Sequence, residues 1–209
     1  VTNGMAMDQD TIDIMKEVGI SNVGISLDGL EQTHDRIRGV KGAFHKIINC
    51  MNMMKEAGQP FVVLTTVNSL NIRELPAIMN LLLSLGVTRW RAQPLIPMGR
   101  AKGSIELEMK DEDMLELGRF IRNYRVSAEK NGLEITPADG LQYIDESWMH
   151  QFTTTGCSAG WITCGITSDG KINGCLSLSD EWIEGDLRKE DLWDIWFRPG
   201  SFACTRNFS

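Results

Sequence analysis

The sequence predicts an α/β fold with a parallel sheet, followed by a small second module that contains a β-hairpin. From residue 1 to about residue 137, amphipathic helices alternate with short apolar runs, and glycines mark the helix ends. This alternation favours right-handed crossovers and a parallel sheet with helices packed outside it. Beyond residue 137 the alternation stops, and three of the five cysteines fall between residues 157 and 175. We therefore predict one domain over residues 1–137, and a linker with a second module over residues 138–209.

Four candidate strands each follow the end of a predicted helix. At each helix end stands a glycine, the residue that most readily adopts the positive φ at which helices terminate. These glycines are Gly19, Gly58, Gly86 and Gly132. The runs that we predict as strands are residues 22–27, 61–67, 88–93 and 133–136. A further strand end is predicted at residues 2–4, before the first helix.

The predicted helices each have one apolar side. The stripe of the helix around residue 50 is made of Phe44, Ile47, Ile48, Met51 and Met54. Side chains at this spacing pack one side of a helix against a sheet. Cys50 lies on the same stripe, so we interpret it as a small buried core residue. A following helix around residues 75–85 requires Pro76 to lie in its first turn, where proline is tolerated.

Polar side chains collect where the predicted strands end. They are Asn3, Ser26, Asp28, Asn68 and, in the next turn, Asn71. In parallel α/β sheets the ligand site lies beyond the carboxyl ends of the strands, so these residues are candidate ligand contacts. Asn and Asp also cap helices and turns, and that role fits each of them equally well when it is considered alone.

Residues 28–43 form a charged segment between a predicted strand and its helix. Its cations and glycines are Arg36, Arg38, Lys41, Gly39 and Gly42. Three cations beside a strand end suit a carboxylate or a phosphate, and glycines allow a ligand to approach the backbone closely. A solvated loop with His34 on its surface fits the same residues equally well.

The second module is organised around its cysteines. An alternating pattern on either side of Asp169 and Gly170 predicts a short hairpin that carries Cys175 back towards Cys157. In a chain without a secretory signal, two thiolates brought together in this way favour a metal site over a structural disulfide. Cys164, on the first hairpin strand, is a third candidate ligand on spacing alone. A weak helical pattern over residues 138–155 precedes the cysteines, and a short amphipathic helix is predicted over residues 192–196.

Charge and hydropathy exclude several classes of function. The net charge of −7 and the pI near 5.0 argue against a nucleic-acid partner. No apolar run is long enough to span a membrane, which needs about 18 residues or more. The amino terminus has no signal-peptide pattern, so we expect a reducing, cytoplasmic location. The chain opens on Val1 and stops at Ser209 without any flanking element, and we expect it to be a fragment of a longer protein.

Motifs from both domains together resemble one enzyme family. Those of the first domain resemble, in the same order, the second half of a radical S-adenosylmethionine (SAM) barrel. They are Thr2-Asn3-Gly4, Ile25-Ser26-Leu27-Asp28-Gly29, His34-Asp35-Arg36-Ile37-Arg38-Gly39 and Pro97-Met98-Gly99-Arg100. The second module resembles the start of a SPASM domain. Its cysteine–glycine–cysteine pattern is matched by Cys157, twelve residues, Gly170, four residues and Cys175.

The resemblance implies a partial (β/α) barrel that binds SAM and a [4Fe–4S] cluster, joined to a SPASM or twitch-like module with auxiliary [4Fe–4S] clusters. Ser26 and Asp28 are then candidate SAM contacts, and Arg38 is a candidate partner of the SAM carboxylate. Cys157 and Cys175 are then thiolate ligands of an auxiliary cluster.

The remaining cysteines do not fit the SPASM spacing. We therefore interpret Cys164 and Cys204 as structural. In sulfatase-maturing relatives, an Asp that acts as a base follows the cysteine matching Cys175. Here Leu176 stands at that place, so the resemblance identifies no catalytic residue.

The implied activity is that of a maturase that generates a 5′-deoxyadenosyl radical to modify a peptide or protein substrate. An electron donor such as flavodoxin or ferredoxin is the expected partner. The Cys-x-x-x-Cys-x-x-Cys motif that binds the SAM-cleaving cluster does not occur in the sequence, nor do the later SPASM cysteines.

Three alternatives follow from these departures. A radical SAM enzyme of small-molecule cofactor biosynthesis would share the same motifs. A degenerate, non-catalytic barrel could serve as a binding module, with its cysteines holding zinc or nothing. An ordinary βα-barrel hydrolase or aldolase has little support, because no Ser/His/Asp set or paired-histidine motif occurs.

Overall fold

The computed structural model of the protein describes residues 1–97, 101–137, 159–176 and 178–206. Within these ranges the chain forms two compact units. The first comprises residues 1–97 and 101–137, and the second comprises residues 159–176 and 178–206. The boundary between the units falls inside residues 138–158, so the predicted boundary at residue 137 stays a prediction. The helical pattern over residues 138–155 also lies outside the described residues.

The first unit is built on a four-stranded parallel sheet in the order β1-β2-β3-β4. The strands are β1 (Val23–Ser26), β2 (Phe61–Val67), β3 (Arg89–Pro94) and β4 (Glu134–Pro137). Each agrees with its predicted run to within one residue at either end. On the outer side of β1, Thr2 forms a further parallel bridge with Ile25. The predicted parallel α/β architecture is confirmed.

Helices connect the strands and flank the sheet. In the described part of this unit they are α1 (Gln9–Glu17), α2 (Glu31–Arg38), α3 (Ala43–Glu56), α4 (Leu75–Ser84) and α5 (Asp111–Lys130), with a 3-10 turn at Ile72–Glu74 before α4. Pro76 lies in the first turn of α4, as predicted. The glycines predicted to end four of the helices all have positive φ. Nowhere in the described ranges does a helix combine the length and apolar character needed to cross a bilayer.

One face of the sheet forms the hydrophobic core with the helices. Along β2, buried residues alternate with half-buried ones, and Val63 and Val67 are inaccessible to solvent. Helices α3 and α4 pack against this face through buried residues that include Met54 and Leu82. Cys50 is buried in the same cluster, which confirms its interpretation as a core residue. Burial raises the pKa of the Cys50 thiol to about 11.

A chain of hydrogen bonds crosses this core from β3 to the end of β1. The indole Nε1–H of Trp90 on β3 donates to Oγ1 of Thr65 on β2 at 2.8 Å. The Thr65 hydroxyl donates in turn to the carbonyl oxygen of Leu27, directly after β1, at 2.7 Å. All three residues are fully buried, so solvent cannot replace either bond. These two hydrogen bonds therefore fix three strands relative to one another.

The segment between β1 and α3 differs from its prediction. The alternative of a solvated loop with His34 on its surface is contradicted, because Glu31–Arg38 form helix α2 and His34 is only 2% exposed. The two glycines of the segment are helix boundaries. Gly39 is the C-cap of α2 and Gly42 is the N-cap of α3. The helix was not predicted because α2 is short and mostly polar, so it has no apolar stripe for the sequence pattern to reveal.

The second unit is a three-stranded antiparallel sheet with short helices. In the described ranges its elements are β5 (Gly165–Ile166), β6 (Lys171–Asn173), β7 (Gly185–Asp186), α6 (Leu192–Phe197) and α7 (Ala203–Arg206), with a 3-10 turn at Asp180–Trp182 before β7. The pairing of β5 with β6 confirms the predicted hairpin, and its turn places Gly170 at a φ of +78°. Within its described residues the core of this unit is small, and the fully buried apolar residues there are Ile172, Ile195 and Phe202.

Replacing Thr65 with Val tests the hydrogen-bond chain across the first core. Valine keeps the shape of threonine but leaves the Trp90 indole N–H and the Leu27 carbonyl without a partner. Because buried groups that lose a partner keep their desolvation cost, we expect the free energy of unfolding to fall by about 1–3 kcal/mol. Thr66→Val is the matched control, because its half-buried side chain lies on the other face of β2. Urea unfolding measures both variants, and equal stabilities would contradict the role given to Thr65.

Candidate functional site

Asp28, which follows β1, connects the ends of two strands with helix α2. Its Oδ1 accepts a hydrogen bond from the backbone N–H of Thr66 on β2 at 2.8 Å. Its Oδ2 pairs with Nη2 of Arg38 on α2 at 2.5 Å, and its carbonyl oxygen accepts from the side-chain amide of Asn71 at 3.0 Å. The side chain is only 4% exposed. Each carboxylate oxygen of Asp28 therefore already has a donor from the protein.

Arg38 lies beside Asp28 with part of its donor capacity unused. Its side chain is 29% exposed, and its Nη2 is engaged by Asp28. Its Nε is buried and has no hydrogen-bond partner among the described residues. A buried donor without a partner is costly, and an acceptor such as a ligand carboxylate removes that cost. The Arg38 guanidinium is therefore suited to binding an anionic group.

His34 is buried in α2 and holds the backbone of Asp28. The backbone N–H of Asp28 donates to Nδ1 of His34 at 3.0 Å. A ring nitrogen that accepts carries no proton, so the imidazole is neutral with its proton on Nε2. Burial lowers the pKa of His34, and the neighbouring Asp28 carboxylate opposes this shift more weakly. The ring therefore acts as a hydrogen-bond acceptor for the strand end.

Carboxylates fix helix α2 at both of its ends. At the start, Glu74 accepts a hydrogen bond from the backbone N–H of Leu30 at 2.8 Å. Near the end, Asp35 accepts from the backbone N–H groups of Gly42 and Phe44, which begin α3. These two hydrogen bonds hold the pKa of Asp35 below its usual value. Helix α2 is thereby tied both to the turn after β2 and to the next helix.

The face of the sheet away from the core is half-buried and largely polar. In the strand register, Ser26 on β1 lies level with Leu64 on β2, and Leu64 lies level with Arg91 on β3. Arg91 in turn lies level with Thr136 on β4, and Gln93 extends the row towards the end of β3. Gln93 stands at the end of a strand that the sequence predicts, whereas sequence reasoning missed Arg91. The alternation of buried and half-buried residues along β3 is the signal that identifies Arg91.

Within the first unit, the structure brings together the residues predicted to contact a cofactor. Asp28 and Arg38 form an ion pair, and Ser26 ends β1 two residues before Asp28. Asn3 and Asn68 accept hydrogen bonds from backbone N–H groups two residues further along the chain, which agrees with the capping alternative. In the predicted loop at residues 97–100, residues 98–100 lie outside the described ranges.

In the second unit, two glycines near the predicted cysteine ligands come together. Gly174 directly precedes Cys175, and Gly160 stands three residues after Cys157. A Cβ added to Gly174 would lie 3.5 Å from the backbone nitrogen of Gly160. Cys157 lies outside the described residues, so its pairing with Cys175 stays a prediction. Among the residues that the structure describes, no three His, Cys, Asp or Glu side chains form a metal site.

Two further thiols belong to the same unit. Cys164 packs against the small core around Ile172, in agreement with its structural interpretation, and burial raises the pKa of its thiol. Cys204 is half-buried in α7, and its structural interpretation stays a prediction.

Comparison with protein-family models identifies two domains in the chain. Residues 1–82 match the model of the radical SAM superfamily. Residues 157–209 match the SPASM model, which describes an iron–sulfur cluster-binding domain. The two matches have the order expected from the resemblance of the motifs.

Two curated relatives illustrate the range of similar proteins. The AdoMet-dependent heme synthase of Methanosarcina barkeri is 27% identical over 225 residues, which cover 99% of this chain and 62% of the relative. The sporulation killing factor maturation protein SkfB of Bacillus subtilis is 30% identical over 198 residues, which cover 93% of this chain and 45% of the relative. The chain therefore spans about half the length of the curated relatives it matches.

A solved structure shares the fold. Streptococcus suis SuiB bound to S-adenosylmethionine matches with a TM-score of 0.72 at 16% sequence identity, and the match covers 99% of this chain and 49% of that chain. At this identity the likeness shows the fold alone. Together with the match of residues 1–82 to the radical SAM model, it confirms the predicted partial (β/α) barrel of the radical SAM type.

The neutral state of His34 predicts a pH dependence of stability. Because folding lowers the pKa of His34, its contribution is complete above the ordinary histidine pKa of about 6.5 and is lost as the pH falls towards the lowered value. We expect the Tm of His34→Gln to fall less than that of the wild type between about pH 7.5 and pH 5, because glutamine does not titrate.

The matched control for this experiment is His45→Gln. His45 is exposed and pairs with Glu31 at the surface, so this variant removes a histidine without disturbing a buried hydrogen bond. Circular dichroism melting at a series of pH values measures all three proteins. Identical profiles for His34→Gln and the wild type would show that His34 is not held neutral by folding.

Proposed function

We propose that this chain, whose residues 1–82 match the radical SAM superfamily model and whose residues 157–209 match the SPASM model, is part of an enzyme that modifies a peptide or protein by radical chemistry. The two domains imply SAM and [4Fe–4S] clusters as cofactors. The observation that supports a specific cofactor site concerns the Nε atom of Arg38. It is a buried donor beside Asp28 that has no partner in the described ranges.

The proposed SAM site lies at the end of β1. The guanidinium of Arg38 binds the SAM carboxylate, for which its planar donor set is suited. Ser26 contributes a hydroxyl from the half-exposed face of the sheet. Asp28 acts at the same site by orienting Arg38, since both of its carboxylate oxygens are already engaged. His34 supports it by holding the Asp28 backbone.

The proposed auxiliary cluster is held by Cys157 and Cys175. Thiolates are the ligands that [4Fe–4S] clusters require. Support comes from the hairpin that precedes Cys175 and from the contact between Gly174 and Gly160, which stands three residues after Cys157. The other ligands of such a cluster are not assigned to residues of this chain.

When bound, SAM and its cluster supply the 5′-deoxyadenosyl radical that takes a hydrogen atom from the substrate. The residues of this chain bind SAM and orient it at the end of β1. The half-exposed polar face that includes Gln93 is the proposed place for the substrate, because it adjoins Ser26 in the same sheet. We also propose that a low-potential electron donor such as flavodoxin or ferredoxin supplies the electron, in a reducing cytoplasm.

Similarity to SkfB favours a peptide substrate, because that relative is a maturation protein for a sporulation killing factor. A second candidate is the biosynthesis of a small-molecule cofactor. It is supported by the AdoMet-dependent heme synthase, whose similarity covers 99% of this chain. The two candidates share the proposed SAM site and differ in the substrate.

Replacing Arg38 with Lys tests the SAM site. Lysine keeps a cation beside Asp28 but has no counterpart of the unpartnered Nε. We expect SAM affinity, measured by isothermal titration calorimetry, to fall by about 10-fold to 100-fold, which corresponds to one charge-assisted hydrogen bond. Arg36→Lys on the same helix is the matched control, because Arg36 pairs with Glu106 at the surface. Unchanged affinity in Arg38→Lys would remove Arg38 from the site.

Release of 5′-deoxyadenosine tests the reaction and separates the substrates. The protein is expressed anaerobically from its complete open reading frame and reduced with dithionite in the presence of SAM. We expect 5′-deoxyadenosine to form, and its rate to rise with a peptide encoded beside the gene but not with a metalloporphyrin. Stimulation by the porphyrin alone would favour the second candidate. Full cluster content without SAM cleavage would overturn the proposal in favour of a non-catalytic binding module.

A further inference from the structure

Arg206, in α7, ties three parts of the second unit together. Its Nε donates to the carbonyl oxygen of Gly160 at 2.6 Å. Its Nη1 donates to the carbonyl oxygens of Trp196 at 2.8 Å and of Ser201 at 3.4 Å. Its Cζ also lies 4.8 Å and 4.7 Å from the ring centroids of Trp196 and Phe202. A planar cation with several donors can make all of these contacts at once, and an ammonium group cannot.

Phe202, whose ring lies next to the Arg206 guanidinium, has a strained backbone. Its φ of 56° lies in the left-handed region, which a bulky residue rarely adopts. Its side chain is fully buried. Strain of this kind persists only where the surroundings impose it, and it concentrates at functional sites. The surroundings here include the Arg206 guanidinium, Gly160 and Gly174.

Gly160 is held where no larger residue fits. A Cβ added to it would lie 2.4 Å from Oγ1 of Thr205 and 2.7 Å from Cβ of Phe202. Its N–H donates to the carbonyl oxygen of Thr163 at 2.8 Å, while its own carbonyl oxygen accepts from Arg206. Both backbone groups of Gly160 are therefore fixed.

Gly174 contacts the same cluster from the hairpin. A Cβ added to it would lie 3.5 Å from Oγ1 of Thr205, 3.6 Å from Cδ1 of Phe202 and 3.5 Å from the nitrogen of Gly160. Gly174, the residue before Cys175, therefore lies close to Gly160, which stands three residues after Cys157 in the chain.

We propose that Arg206 is a positioning residue for the auxiliary iron–sulfur site. It fixes Gly160, which stands three residues after Cys157 in the chain, beside Gly174, which precedes Cys175, and it does not itself bind iron. Segments fixed in advance lose less conformational freedom when the cysteines bind, so the site gains affinity. This inference rests on the assignment of Cys157 and Cys175 under the proposed function.

Two substitutions disturb the contacts around Arg206 in different ways. Arg206→Lys keeps the charge and removes the planar donor set. Gly160→Ala keeps Arg206 and introduces the clash with Thr205. The matched controls are Arg198→Lys, at a partly exposed arginine of the same unit, and Gly200→Ala. Gly200 has a φ of +85° and nothing within 4 Å of an added Cβ, so it shares the backbone cost without the clash.

The measurement is the rate at which a chelator removes auxiliary iron from the protein, expressed anaerobically from its complete open reading frame. Auxiliary iron is the iron that is lost in a Cys157→Ala/Cys175→Ala double variant. We expect Arg206→Lys and Gly160→Ala to release it roughly 10-fold to 100-fold faster than the wild type, and both controls to match the wild type. The electron paramagnetic resonance spectrum of the reduced auxiliary cluster should change in the same two variants, while SAM affinity stays constant.

Hydrogen exchange separates positioning from general unfolding. We expect the amides of β6 to keep their protection in both variants while the backbone amide at position 160 exchanges faster. Loss of protection throughout β6 would overturn the positioning role, because Arg206 would then support the whole unit. Release of iron at the wild-type rate would overturn it as well. If the wild type and the cysteine double variant hold equal iron, the cluster assignment itself fails, and the role of Arg206 fails with it.

Discussion

The carboxylate of Asp28 is the group on which the end of the first sheet depends. It joins β1 to β2 through the Thr66 N–H and to α2 through Arg38. The backbone N–H of Asp28 donates to His34, and its backbone carbonyl oxygen accepts from Asn71. A buried carboxylate is tolerated only when its oxygens receive donors, so neither strand end nor the helix can move without losing part of this set. The same requirement directs the Arg38 guanidinium to the strand ends and leaves its Nε available for a ligand.

This dependence on distant partners explains what the sequence could and could not predict at the site. Ser26 and Asp28 end an apolar run, and Arg38 lies in a motif that resembles a known family, so all three could be named in advance. Helix α2 could not be predicted, because its start is held by Glu74, which is 44 residues from Leu30 in the chain. Local periodicity contains no information about such contacts, and tertiary structure overrides it here.

The sheet and the hairpin were easier to predict, because their signals are local. The alternation along β2 follows from burial of one face, and Gly170 supplies the backbone that the hairpin turn needs. The polar role of Arg91 was missed for a different reason. Alternation shows that one face of β3 is half-buried, but which chemistry that face serves depends on the neighbouring strands and on the helices packed against the other face.

The two units differ in what stabilises them, and this difference bears on how a cluster would act. The first unit has an extensive core, whereas the described part of the second contains three fully buried apolar residues. Its Trp193 and Phe197 stack on each other at the surface instead of adding to that core. A small domain with so little buried apolar area usually needs a metal or another cross-link, and metal binding then supplies part of its folding free energy. Under the proposed ligation by Cys157 and Cys175, cluster binding and folding of the second unit are therefore coupled, and the contacts of Arg206 reduce the conformational freedom that binding must remove.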